Sequence, residues 1–260
     1  MNSIDFDNEA KHWFVCQHPR PQAKLCLYCL PHAGGGAATY RNWADEISTE
    51  IEIRAIQLPG RESRLAEPVP DNLANLTRSL ALQIADNADR PFAYFGHSLG
   101  ALIGFELARC QRSLGLQQPC HLIVSGRNAP HTLHPNSSTA RHQLSDADLL
   151  EELSCLQGTP QEILSNHDIM TALLPVIRAD LKLAETYSYS NDSPLSCPIS
   201  AVGATEDQFI TRAGIEAWQQ QTTESFQSTF FAGGHFFFIA QRRALLRAIA
   251  RFLTRPAAPN

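Results

Sequence analysis

Three features of the 260-residue chain predict an α/β fold, a mostly parallel sheet flanked by helices. Short runs that are apolar on both faces recur along it, longer stretches of helical periodicity separate them, and one run passes through a tight glycine-flanked turn directly into a helical stretch. A strand without a polar face needs cover on both sides, and intervening helices supply that cover. With 43% hydrophobic and 18% charged residues, the composition predicts one compact domain over 1–260. A chain of this length hides ~70–75% of its unfolded surface, enough for a core without metals or disulfides.

In chain order, the predicted strands are 25–30, 51–57, 92–95, 121–125, 198–202 and 226–231. Helical patterns fall near 40–48, 72–87, 99–114, 212–221 and 238–253. The alternation breaks over 127–196, where only helical patterns appear. There Ser145-Asp146-Ala147-Asp148 reads as a capped helix start, and Thr159-Pro160-Gln161-Glu162 as an N-cap with proline at N1 and glutamate at N3. A third helix is expected over 167–187, with Pro175 kinking it. A helical block between two strands is expected to cap the strand ends as a mobile lid with polar loops such as Asn136-Ser137-Ser138-Thr139. Periodicity alone leaves open packing on the sheet's side. The tail 255–260 is expected to fray.

The formal charge of -5 gives no general attraction to nucleic acid or anionic membranes. The longest apolar run is about six residues against the ~20 that span a bilayer, and residues 1–9 lack the pattern of a secretion signal. A cytoplasmic protein is expected. Seven cysteines, an odd number, argue against a disulfide framework and are expected to be mostly buried thiols. Cys26 and Cys29 form a C-x-x-C within a strand, where alternation sends them to opposite faces. No second such pair and no H-E-x-x-H is present, so no metal is expected.

The sharpest motif is Gly96-His97-Ser98-Leu99-Gly100, a G-x-S-x-G between a strand and a helix. Its turn crowds the positions two before and two after the serine, where only glycine fits, and projects Ser98 from the sheet edge above a helix N-terminus. A serine needs a base to become a nucleophile near neutral pH, and in this strand-turn-helix context the chain order is Ser, acid, His. Order leaves His235, after Gly233-Gly234 and the last strand. The acid is expected after the penultimate strand, where Asp207 is favoured over Glu206. The loop Pro31-His32-Ala33-Gly34-Gly35-Gly36 ends the first strand, so the backbone N–H groups of Ala33 and Leu99 are the candidate oxyanion donors. The same glycines could suggest a phosphate loop, but the lysine and serine of that motif are missing. On the loop after the second strand, Arg61 and Arg64 are candidate contacts for an anionic partner, with an ordinary solvated loop as the alternative.

These segments, with Leu58-Pro59-Gly60-Arg61, Leu174-Pro175-Val176-Ile177-Arg178-Ala179-Asp180 and Gly233-Gly234-His235-Phe236, resemble the type II thioesterases of nonribosomal peptide and polyketide synthases. The resemblance runs over about 25–253 and implies an α/β-hydrolase fold with a helical lid over 127–196. It also implies a Ser98–Asp207–His235 triad and hydrolysis of aberrant or stalled acyl groups from the phosphopantetheine arm of acyl or peptidyl carrier proteins. No cofactor of its own is implied, and a monomer is expected. Ala204 departs from the glycine that relatives often carry there. Nothing local distinguishes a thioester from an oxygen ester, so a small-molecule carboxylesterase is the alternative reading, and a catalytically silent binding protein a more remote one.

Overall fold

The computed structural model describes residues 12–132, 140–156 and 158–254; the loop 136–139, the segment 1–9 and the tail 255–260 lie outside them. Seven strands form one sheet: β1 (Phe14–Val15), β2 (Leu25–Leu30), β3 (Ile51–Ile56), β4 (Phe92–His97), β5 (Leu122–Ser125), β6 (Ile199–Ala204) and β7 (Phe226–Phe231). Their order is β1-β3-β2-β4-β5-β6-β7, with only β1 antiparallel. The helices are α1 (Leu73–Asn87), α2 (Leu99–Ser113), α3 (Asp146–Leu156), α4 (Gln161–Leu164), α5 (His167–Glu185), α6 (Arg212–Glu216), α7 (Phe237–Ala240) and α8 (Arg242–Thr254).

The apolar strands have the two-sided cover their composition demands. One core holds Tyr28, Leu80, Leu102, Phe105 and Trp218; the other holds Trp43, Phe95, Leu246 and Ile249. Cys26 belongs to the first and Cys29 to the second, the opposite faces that alternation requires. The cysteines as a set depart from expectation: Cys26, Cys29 and Cys197 are buried, whereas Cys120 and Cys155 are exposed. No helix among the described residues is long and apolar enough to cross a membrane.

Three local features differ from expectation. The helix expected over 40–48 is a short 3-10 helix, Ala37–Tyr40, followed by turns. Tyr40, Trp43, Ala44 and Ile47 are buried at helical spacing. The Arg20 guanidinium nevertheless donates to the Ala44 carbonyl, which a regular helix over 40–48 would have used itself, and to the Ser48 carbonyl. Strand β1 was not anticipated, because two residues pairing Phe14 with Ile56 and Val15 with Ala55 carry no periodic signal. At the second insertion helix, α4 starts at Gln161 with Pro160 in the capping position and no side-chain cap from Thr159. The third helix stands where it was expected, as α5, with Pro175 inside it.

Candidate active site

Because β2, β4, β6 and β7 run parallel, the loops that leave their C-terminal ends meet at one sheet edge. The residues singled out in the sequence come from these loops. Ser98 follows β4 with φ 55° and ψ −112°, a strained backbone for a residue with a Cβ. The turn is held by the Ser98 N–H, which donates to the Ser125 carbonyl at 2.8 Å. A Cβ on Gly96 would overlap the Gly100 carbonyl, and one on Gly100 would overlap the Leu30 carbonyl, so both positions require glycine. The turn opens directly into α2, whose first amide is that of Leu99.

His235, on the loop after β7, and Asp207, on the loop after β6, meet at 2.8 Å between Nδ1 and Oδ2. The Asp207 side chain is fully enclosed, and its other oxygen accepts the Phe209 N–H at 2.9 Å. Glu206, the alternative acid, is exposed. A buried carboxylate on Nδ1 fixes the imidazole so that Nε2 is the nitrogen available for proton transfer. Ser98, Leu99, Ala33 and His235 line a common cavity with Phe236. Ser98 and His235 are not joined by a hydrogen bond in this arrangement. The Leu99 and Ala33 amides make no backbone hydrogen bond outside regular elements, which leaves them available to an oxyanion.

His97 packs beside His235, with ring centroids 4.9 Å apart, and His32 packs edge-on against His97 in turn. Burial pulls the His32 pKa down to about 3, helped by His235 and Arg61, and holds His97 well below the usual imidazole range. Both are therefore neutral at pH 7, and His97 Nδ1 pairs with Ser125 Oγ at 3.0 Å. They keep further positive charge away from His235.

The insertion roofs the cavity. Leu149, Leu153 and Leu156 of α3 and Ile177 and Leu181 of α5 form its apolar wall. Leu149, Met170, Leu174, Ile177 and Leu181 form a small core of their own. The cavity has a volume of about 60 Å³, room for a handful of waters.

Arg61 and Arg64 are not docking residues. Arg61 is 3% exposed and Arg64 6%. Arg61 forms a two-pronged ion pair with Asp180 of α5, at 2.5 and 3.0 Å, and donates to the Gly35 carbonyl at 3.0 Å. The Gly34 N–H donates to the same carboxylate at 2.8 Å, so this pair clamps the loop that carries Ala33. Arg64 pairs with Glu67, donates to the Gln57 carbonyl at 2.9 Å and lies over the Trp13 ring. Sequence reasoning quoted Asp180 only within a motif and gave it no role, although a carboxylate one turn from Ile177 and next to Leu181 lies on an apolar helix face and needs a buried cation.

Residues 26–253 match the model of the thioesterase domain. The chain belongs to the thioesterase family. Gramicidin S biosynthesis protein GrsT of Aneurinibacillus migulanus is 40% identical over 257 residues, which cover 99% of this chain and 100% of that protein. Thioesterase PikA5 of Streptomyces venezuelae is 34% identical, over 86% of this chain and 79% of that one. Among solved structures, the type II thioesterase BorB from the borrelidin biosynthetic cluster is 37% identical with a TM-score of 0.83, over 93% of this chain and 97% of that one. This thioesterase is a thioester hydrolase on an α/β-hydrolase scaffold.

Proposed function

We propose that this thioesterase is a type II, editing enzyme that hydrolyses aberrant or stalled acyl groups from the phosphopantetheine arm of carrier proteins serving nonribosomal peptide or polyketide synthesis. The observation that carries the reading is the His235–Asp207 pair beside the strained Ser98 in one small roofed cavity, on a chain that matches pathway thioesterases over nearly its full length. Ser98 is the nucleophile. His235 takes its proton as Ser98 attacks the thioester carbonyl, and Asp207 holds the imidazole. The amides of Leu99 and Ala33 stabilise the oxyanion, each contributing about 2.7–4 kcal/mol to the barrier reduction. The pantetheine thiolate leaves and takes up the proton that His235 holds, which restores the neutral imidazole; a thiol is more acidic than an alcohol, so the bond breaks with less of this help. His235 then activates the water that releases the acid.

Intact-protein mass spectrometry on a panel of acylated carrier proteins tests this reading, with an aryl ester as control. Loss of the acyl mass at a far higher kcat/KM than aryl ester cleavage is expected; preference for the ester would favour a carboxylesterase instead. Asp207→Asn should cut kcat by roughly 10⁴-fold through the wrong imidazole tautomer, with Glu206→Gln near wild type. An active Asp207→Asn beside an inactive Glu206→Gln would reassign the acid.

The cavity is too small for a long acyl chain together with the pantetheine end, so part of the roof moves during turnover. The moving part is α3–α4, narrower than the whole of 127–196. Only Leu149 is buried in α3 and nothing in α4, whereas α5 buries seven residues, including Asp180 and Leu183. Amide exchange should be faster over 146–164 than in α5 or the strands. Protection of α3 equal to that of α5 would rule this motion out.

A further inference from the structure

Arg127 stands out among the charged residues because the proposed chemistry does not use it and no carboxylate satisfies it. It follows β5, lines the cavity with Ser98 and His235, and is 6% exposed. Its Nε is enclosed without an acceptor, and Nη2 reaches only the Ala184 carbonyl, at a long 3.4 Å. No acidic side chain among the described residues forms an ion pair with it. Its neighbour Arg141 differs, being held by Glu185 at 2.9 Å with Glu152 3.6 Å away. The backbone around Arg127 is firmly pinned. The Gly126 N–H donates to the Val202 carbonyl at 2.9 Å, the Trp218 Nε1–H to the Arg127 carbonyl at 2.8 Å, and the Ala129 N–H to the Gly214 carbonyl at 2.8 Å. Burial lowers the Arg127 pKa to about 10, so the guanidinium is still charged at pH 7.

A buried cation with an unmet donor is costly. Leu149, Leu153, Leu156, Ile177 and Leu181 supply nothing to relieve it, and Glu152, which also lines the cavity, pairs with Arg141 instead. A saturated acyl chain filling this space would displace water and leave the guanidinium unsatisfied. An ammonium-bearing aminoacyl group would meet two guanidinium groups, Arg127 and Arg141, against one carboxylate, Glu152. An acyl group with an acceptor oxygen would satisfy the guanidinium, and because Arg127 and Ser98 line the same cavity that oxygen lies near the thioester carbonyl. Building on the function proposed above, we infer that Arg127 is a specificity-determining residue that hydrogen-bonds an oxygen near the thioester, selecting 3-hydroxy- or 3-oxoacyl groups over saturated and aminoacyl groups.

Steady-state kinetics on butyryl-, 3-hydroxybutyryl- and β-alanyl-pantetheine test it. For wild type, kcat/KM on 3-hydroxybutyryl should exceed that on butyryl by about tenfold or more, with β-alanyl slowest. Arg127→Met should bring the hydroxybutyryl-to-butyryl ratio close to one, and Arg127→Lys should keep part of it. A wild-type ratio near one overturns the inference without needing any variant. An equal loss on all three substrates in Arg127→Met, with the ratio intact, also overturns it and makes the residue structural. Failure of wild type to turn over any thioester while a fluorophosphonate still labels Ser98 would instead overturn the proposed function.

Discussion

Ser98→Ala is expected to lower kcat by roughly 10⁴-fold or more, because the groups of such a site act as a unit and the remaining oxyanion donors and binding contacts sustain only a residual rate. Stability should hardly change. The substitution removes a hydroxyl at the edge of a cavity, takes nothing from either large core and keeps the Cβ that Ser98 already carries at φ 55°. Single-turnover assays on an acylated carrier protein, paired with thermal melts, check both halves. A fluorophosphonate should add one label to the wild-type chain, at Ser98, and none to the variant. Labelling of the variant, or a rate within tenfold of wild type, would move the nucleophile elsewhere.

The second large effect concerns stability. Asp180→Ala should cost about 3–5 kcal/mol, because it leaves the Arg61 guanidinium buried without its partner. The carboxylate is 1% exposed and takes two guanidinium bonds as well as the Gly34 amide. Its loss should also lower kcat, since the freed loop carries Ala33. The double variant Asp180→Leu with Arg61→Met should recover most of the stability, because an apolar pair of similar volume leaves no charge stranded, yet it should recover less of the activity. Urea titrations of the four species give the coupling. A single-variant loss below about 1 kcal/mol would mean that water satisfies Arg61 and that the clamp is not an anchor.

The Arg61–Asp180 pair also shows why local sequence misled. A G-R-E-S-R loop at a sheet edge reads as exposed positive charge, and the -5 balance of the chain makes such a patch look useful for docking. The glycine-rich loop beside it leaves backbone N–H and C=O groups that something must satisfy. The partner that does so, Asp180, is 119 residues away on an inserted helix. No window short enough to show periodicity contains both. The opposite holds for the turn at Ser98, where strand, glycines, serine and helix lie within one short stretch and each local preference agrees with its neighbours.

Taken by itself, the sequence determined the parallel α/β layering, the glycine-serine-glycine turn, and the chain order that singles out His235 and favours Asp207. These follow from periodicity, from sterics at two glycines and from the placement of loops after parallel strands, all of which act over short spans or through order alone. Only the tertiary structure decided which carboxylate reaches the imidazole, and that α5 is clamped to the body while α3 forms the roof. It alone showed Arg61 and Arg64 to be internal and Arg127 to be buried without a counter-charge. Each of those depends on which groups lose their water when distant segments meet, and desolvation is set by three-dimensional neighbours that no local pattern of residues specifies.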